Sequence, residues 1–118
     1  MRKGKILGIV RGYKRIGLEV YMIKDFILYQ NYPNPFNPQT VISYKIRVRG
    51  NVVIKINDVL GKEIATLVNE EKSFGNYEVE FNATSLPSGI YFYRLQAGSP
   101  SAGSGQSFVE TRKMILLK

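Results

Sequence analysis

Thr40-Val41-Ile42-Ser43-Tyr44-Lys45-Ile46-Arg47-Val48-Arg49-Gly50-Asn51-Val52-Val53-Ile54-Lys55-Ile56-Asn57 is the stretch that decides the fold class. Ile42, Tyr44 and Ile46 alternate with Ser43, Lys45 and Arg47. Gly50-Asn51 supplies a turn. Val52, Ile54 and Ile56 then alternate with Val53, Lys55 and Asn57. In a pleated strand successive side chains point to opposite faces, so a period of two buries one face and wets the other. Two such runs predict half-buried antiparallel strands.

The same pattern extends toward the C-terminus. Asn57-Asp58-Val59-Leu60-Gly61 predicts a turn in which the Asp58 side chain caps its own backbone and Gly61 takes a positive φ. A third strand is expected over 62–68, and Asn69–Asn76 reads as a polar stretch ending in Gly75-Asn76. Tyr77, Val79 and Phe81 alternate with Glu78, Glu80 and Asn82. Leu86-Pro87-Ser88-Gly89 predicts a tight corner. Tyr91, Tyr93 and Leu95 alternate with Phe92, Arg94 and Gln96. Gly98–Ser107 (GSPSAGSGQS) has a flexible-loop composition, and a last strand is expected from Phe108 to Leu117.

Toward the N-terminus, Phe26–Tyr29 is a candidate seventh strand. Pro33-Asn34-Pro35-Phe36-Asn37-Pro38 holds three prolines in six residues, which forbids a helix and removes backbone donors. This predicts an ordered extended or turn segment with Phe36 as a plug into a core. Turns recur at the spacing of a β-sandwich. The expected architecture is all-β, an antiparallel sandwich of about seven strands. Tyr44, Ile54, Ile56, Val79, Phe81, Tyr91, Tyr93 and Leu95 are its expected core.

The chain has 118 residues, enough for one domain, and it contains no cysteine, histidine or tryptophan. Within it no disulfide, no Ser-His-Asp or Cys-His arrangement and no Cys/His zinc site can be built. Glu70-Glu71 and the pair Glu78 and Glu80 are the paired carboxylates, and Glu78 and Glu80 share a solvated strand face. Asp58 with Gly61 offers too few oxygen ligands for a calcium loop. No catalytic, cofactor-binding or metal-binding residue is nominated, and no enzyme activity is expected.

The net charge is +8, of which +5 falls in residues 1–25 and +3 in the remainder. A nucleic-acid-binding domain concentrates its charge on its folded part, so no nucleic acid is expected as a partner. No run approaches the 18 or so apolar residues of a membrane helix, so no integral membrane segment is expected. Ile6–Val10 imitates a signal-peptide core, but Arg11 interrupts it and no cleavage pattern follows. Residues 1–25 stay unassigned, read as the tail of a longer protein or a late translation start. Ile16, Leu18, Val20 and Met22 alternate weakly and suggest a strand.

Tyr91-Phe92-Tyr93 could serve as an aromatic platform for sugar or single-stranded nucleic acid, although alternating strand aromatics more often fill a core. Asn82-Ala83-Thr84 matches a glycosylation acceptor pattern. Lys113-Met114-Ile115-Leu116-Leu117-Lys118 is an apolar strand that runs to the last residue, which implies that it is tied into a sheet. It is either a final structural strand or one whose edge or end a partner reads.

Four blocks together resemble a known family. Tyr32-Pro33-Asn34-Pro35-Phe36-Asn37-Pro38 followed by Thr40–Tyr44 is similar to the opening signature of the type A C-terminal sorting domain of the bacterial type IX secretion system. Asp58–Ile64 resembles its central turn, Leu86–Leu95 its late strand and Lys113–Lys118 its terminus. The resemblance covers about 26–118. It implies an Ig-like β-sandwich at the end of secreted cargo. By the same resemblance, Asp58, Gly61 and Gly89 would be structural turn residues, and Lys113, Met114, Ile115, Leu116, Leu117 and Lys118 would be read by the translocon.

The implied partners are the outer-membrane type IX translocon and a sortase-like peptidase that removes the domain. The implied location is the outside or surface of a Gram-negative bacterium, reached through the periplasm. Attached cargo and a signal peptide would have to be supplied by sequence outside this chain. The alternative is a flagellar-hook-capping-like or adhesive Ig-like module, which shares the Asp-x-x-Gly turn and the Gly-x-Tyr-x-Tyr-Arg strand. A sugar-binding module is a third reading, and it requires Tyr91 and Tyr93 on the surface.

Overall fold

The structure is a computed structural model. It describes the backbone of residues 6–10, 13–16 and 19–22 and the whole of residues 26–98 and 108–118. Among these residues every regular element is a strand: β1 (Ile6–Val10), β2 (Tyr13–Ile16), β3 (Glu19–Met22), β4 (Phe26–Leu28), β5 (Gln39–Ile46), β6 (Gly50–Asn57), β7 (Glu63–Lys72), β8 (Gly75–Asn82), β9 (Gly89–Ala97) and β10 (Phe108–Leu116).

Strands β4 to β10 form a sandwich of two antiparallel sheets. One has the order β10-β9-β6-β7 and the other β4-β5-β8. The alternation read from the sequence is the burial pattern found. Ile42, Tyr44 and Ile46 of β5 face Val52, Ile54 and Ile56 of β6 across the core, with Tyr91, Tyr93 and Leu95 of β9 beside them, all buried. Each fully buried aliphatic side chain is worth about 1.5–3 kcal/mol. Of the eight expected core residues, seven are buried. Val79 is half-buried, because β8 is an edge strand and its side chains see the core only from the margin.

Period two specifies faces but not neighbours, and three expectations are corrected on that account. Gly50-Asn51 does not turn a hairpin. Instead, β5 pairs with β4 and β8 whereas β6 pairs with β7 and β9, and the chain crosses between sheets at 47–49. Gly50 begins β6, where a Cβ would lie 3.3 Å from Gly98 Cα. The third strand runs on to Lys72 rather than stopping at Val68, so the polar stretch is mostly strand. Glu70 and Glu71 sit on an edge strand opposite Val52 and Asn51, where charge is tolerated and discourages pairing with other chains. The Ile16–Met22 alternation spans the end of one strand and the whole of another. β2 and β3 pair antiparallel, with Ile16 opposite Glu19, and β1 completes a three-stranded sheet. Leu18 lies outside the described residues.

The β6–β7 turn is built by one carboxylate. Asp58 Oδ1 accepts from Leu60 N and Lys62 N, both at 2.9 Å. Gly61 N donates to Asp58 O at 3.0 Å, and Asp58 N donates to Lys62 O at 3.0 Å. Gly61 takes φ of 87°, the left-handed region that side chains disfavour.

A Cβ at Gly61 meets nothing within 4 Å. Gly61→Val should therefore destabilise by strain alone, by about 1 kcal/mol or more. Gly61→Asn should recover much of the loss. Denaturant midpoints of the three proteins check this. Strands β1 to β3 pair with one another and, among the described residues, with no strand of the sandwich. We propose that residues 26–118 are an autonomous domain. Thermal unfolding of the full chain and of a 26–118 fragment should give midpoints within a few degrees, and a large drop would show that the first 25 residues contribute to the core.

Candidate functional site: the strap on the last strand

Residues 29–38 leave β4 and return as β5, and between them they cross to the other sheet. Proline removes donors, so this segment has few backbone partners to offer and depends on side chains for its place. Phe36 is buried at 2% exposure, with its ring 6.2 Å from that of Phe81 on β8. Around it the backbone pairs with the outer edge of β10. Phe36 N donates to Ile115 O at 2.9 Å, and Leu117 N donates to Phe36 O at 3.0 Å. Ile115 N donates to Asn34 Oδ1 at 2.9 Å, and Gln30 Nε2 donates to Lys113 O at 2.8 Å. Arg112 Nε donates to Leu28 O at 2.7 Å.

Beneath the strap lies a buried polar cluster. The Tyr93 hydroxyl, from the middle of β9, donates to Tyr29 O at 2.7 Å and accepts from Asn31 N at 2.7 Å. Asn31 Nδ2 donates to Thr40 Oγ1 at 2.9 Å and to Pro33 O at 3.1 Å. Thr40 Oγ1 donates to Pro33 O at 2.8 Å. Asn31 and Thr40 are the two buried polar residues among the described residues, and both serve this strap. Burial pushes the Tyr93 phenol up to about 12, partly opposed by the bond from Asn31 and by the Arg112 charge. The sequence reading missed Asn31, Thr40 and Tyr93 as a unit. Nothing local joins residues that are 62 positions apart.

The structure divides the nominated terminal residues. Met114 and Leu116 are core side chains at 0% and 1% exposure, packed between the sheets. Lys113 and Leu117 are exposed and Ile115 is half-buried, on the side opposite Met114 and Leu116, and Lys118 is exposed beyond the end of the strand. The end of the chain is anchored. Lys118 N donates to Ser88 Oγ at 3.0 Å, and Lys118 Nζ donates to Thr84 O at 2.6 Å. The outer backbone edge over 113–117 is occupied by the strap, so a partner arriving there meets side chains. Pro33, Asn34, Pro35 and Asn37 are exposed, and they position Phe36 and the Asn34 carbonyl. Asp58 spends its carboxylate on the turn. Gly89 opens β9 opposite Leu116. Tyr91 and Tyr93 are buried, so these rings form no sugar platform and that reading is corrected. Asn82 Oδ1 accepts from Thr84 N at 2.9 Å, a local turn that the acceptor pattern had hidden.

The model of the secretion system C-terminal sorting domain matches residues 30–109, from the strap into β10. The chain belongs to that family. The match covers the strap, the Asp58–Gly61 turn and β9, and it ends ahead of 113–118. No curated protein matches the chain. Among solved structures, dimeric latent PorU from Porphyromonas gingivalis superposes with a TM-score of 0.63 at 17% identity, over 88% of this chain and 11% of that one. That likeness is one of fold, and it agrees with an Ig-like sandwich. The chain spans about a ninth of PorU.

A Tyr93 phenol held near 12 in the fold and at its ordinary 10 in the unfolded chain favours folding below pH 10. That contribution should be lost as pH rises from 10 through 12, since the unfolded state ionises first. Tyr44, whose phenol is also raised by burial, adds to the same alkaline slope. Tyr93→Phe should flatten this slope. It should also cost about 1–3 kcal/mol at pH 7, because Asn31 N and Tyr29 O lose their partner. Urea midpoints at pH 7, 10 and 11 for both proteins check both effects.

Proposed function

We propose that residues 26–118 are a sorting signal that takes attached cargo across the outer membrane through the type IX system. The observation that supports this most is the family match over 30–109, joined to a strap that holds the last strand in a fixed register. A signal read by a machine must be presented in one geometry. The strap does this by seating Phe36 in the core and pairing with Ile115 and Leu117.

The translocon is the proposed reader, and the outward side chains Lys113, Ile115 and Leu117, with Lys118 beyond the strand end, are what it meets there. Met114 and Leu116 contribute indirectly, by fixing that strand to the core. A sortase-like peptidase then removes the domain from its cargo. The domain itself performs no chemistry in this scheme, and its role is to be recognised. The cargo, on this reading, is carried outside the cell or onto its surface.

The test is export of a reporter bearing a signal peptide and fused to this chain, in a host with the type IX machinery. Replacing Lys113 and Lys118 with Gln, or appending a short polar tail after Lys118, should leave folding intact, because exposed side chains contribute little to stability. Both changes should reduce the secreted fraction. Export equal to the parent would place recognition elsewhere on the sandwich.

A further inference from the structure

The β6–β7 turn needs Asp58 and Gly61, and it makes no use of the two side chains between them. Those are Val59 and Leu60, 63% and 90% exposed, among the most exposed aliphatic residues described. Both bonds to Asp58 Oδ1 come from backbone amides, so serines would build the same turn. Apolar side chains held in water at a rigid tip therefore have no account in the fold.

The strand register shows what lies beside them. Asn57 is opposite Phe92, Phe92 is opposite Lys113, and Ile90 is opposite Ile115. All face outward, since the alternate residues Tyr91, Met114 and Leu116 fill the core. Beyond Asn57 the turn continues past the level of Phe92, at the same end of the sheet as Ile90 and Ile115. Val59, Phe92, Arg94 and Thr111 line one open groove of about 380 Å³ that runs inward from that end of the sheet, with Asp58 on its wall. Arg94 lines the groove with Glu63 near it, Lys113 faces outward opposite Phe92, and neither cation is in an ion pair among the described residues.

We propose that this outer face, from the Val59-Leu60 tip across Phe92 and Ile90 to Ile115, is a docking surface for a protein partner with an apolar patch rimmed by carboxylates. It rests on the sorting reading, and it makes the central turn and the last strand two parts of one recognition surface. Contiguous exposed apolar groups rimmed by charge mark interaction sites. The unpaired cations call for acidic groups on the partner. A protein fits better than an anionic lipid surface, because a groove of about 380 Å³ beside an apolar tip can be filled by a shaped partner and not by a flat sheet of headgroups.

The same reporter tests this. Val59→Ser with Leu60→Ser should keep the parent's thermal midpoint and lower the secreted fraction about tenfold, the scale of losing an apolar anchor. Ile90→Thr, strand-competent and on another element, should lower it too. Glu78→Gln with Glu80→Gln, on the outer face of the other sheet, should leave it unchanged. If the parent reporter stays inside, the sorting reading falls and this one with it. If the parent and both patch variants are exported alike, this inference alone falls. Sedimentation of the parent, but not of Val59→Ser with Leu60→Ser, with phosphatidylglycerol vesicles and not with phosphatidylcholine vesicles would replace the protein partner with a lipid surface.

Discussion

The hydroxyl of Tyr93 is the point on which the two sheets are joined. It rises from the centre of the four-stranded sheet and bonds both ways to the segment that leaves the three-stranded one. A buried hydroxyl without partners would cost several kcal/mol, and so would the backbone groups of a proline-broken segment laid against a core. Here each supplies what the other lacks. Asn31 and Thr40 complete the cluster and close the carbonyl of Pro33, so the strap has one place to lie.

From that seat the rest follows. With Asn31 fixed, Phe36 reaches the core beside Phe81, and its backbone meets Ile115 and Leu117. An edge strand at the end of a chain ordinarily frays and invites foreign strands. Over 113–117 this edge is paired on both sides, by β9 within the sheet and by the strap outside it. What remains exposed is a set of side chains in fixed register.

The two outer faces differ in a way that matters for recognition. The three-stranded sheet shows Glu78 and Glu80 opposite Ser43 and Val41, a solvated surface. The four-stranded sheet shows apolar groups at one end, among cations. Its inner face is apolar throughout and sealed, so the core holds Tyr91, Met114 and Leu116 while the outside shows Ile90, Lys113 and Ile115. One strand thus anchors and presents at once, by the alternation of the pleat.

The sequence by itself determined which residues face inward, because a period of two is a local property and burial follows from it. Ile42, Tyr44, Ile54, Tyr93 and Leu95 could be assigned without any coordinates. The Asp58–Gly61 turn could also be read, since its bonds close within five residues. The family could be recognised for the same reason, its blocks being short and in order. Only the tertiary structure decided which strand lies beside which. Gly50-Asn51 looked like a hairpin turn and proved to be a crossing between sheets, because the partner of β5 is β8, some thirty residues away, and loop closure over that distance leaves no local trace. The strap belongs to the same class. Its prolines announced an extended segment, but its grip on Ile115 joins residues 81 positions apart through Asn34, and its anchor joins Asn31 to Tyr93. Such pairings are fixed by the need to satisfy buried polar groups once the sheets have packed, and that need exists only in three dimensions.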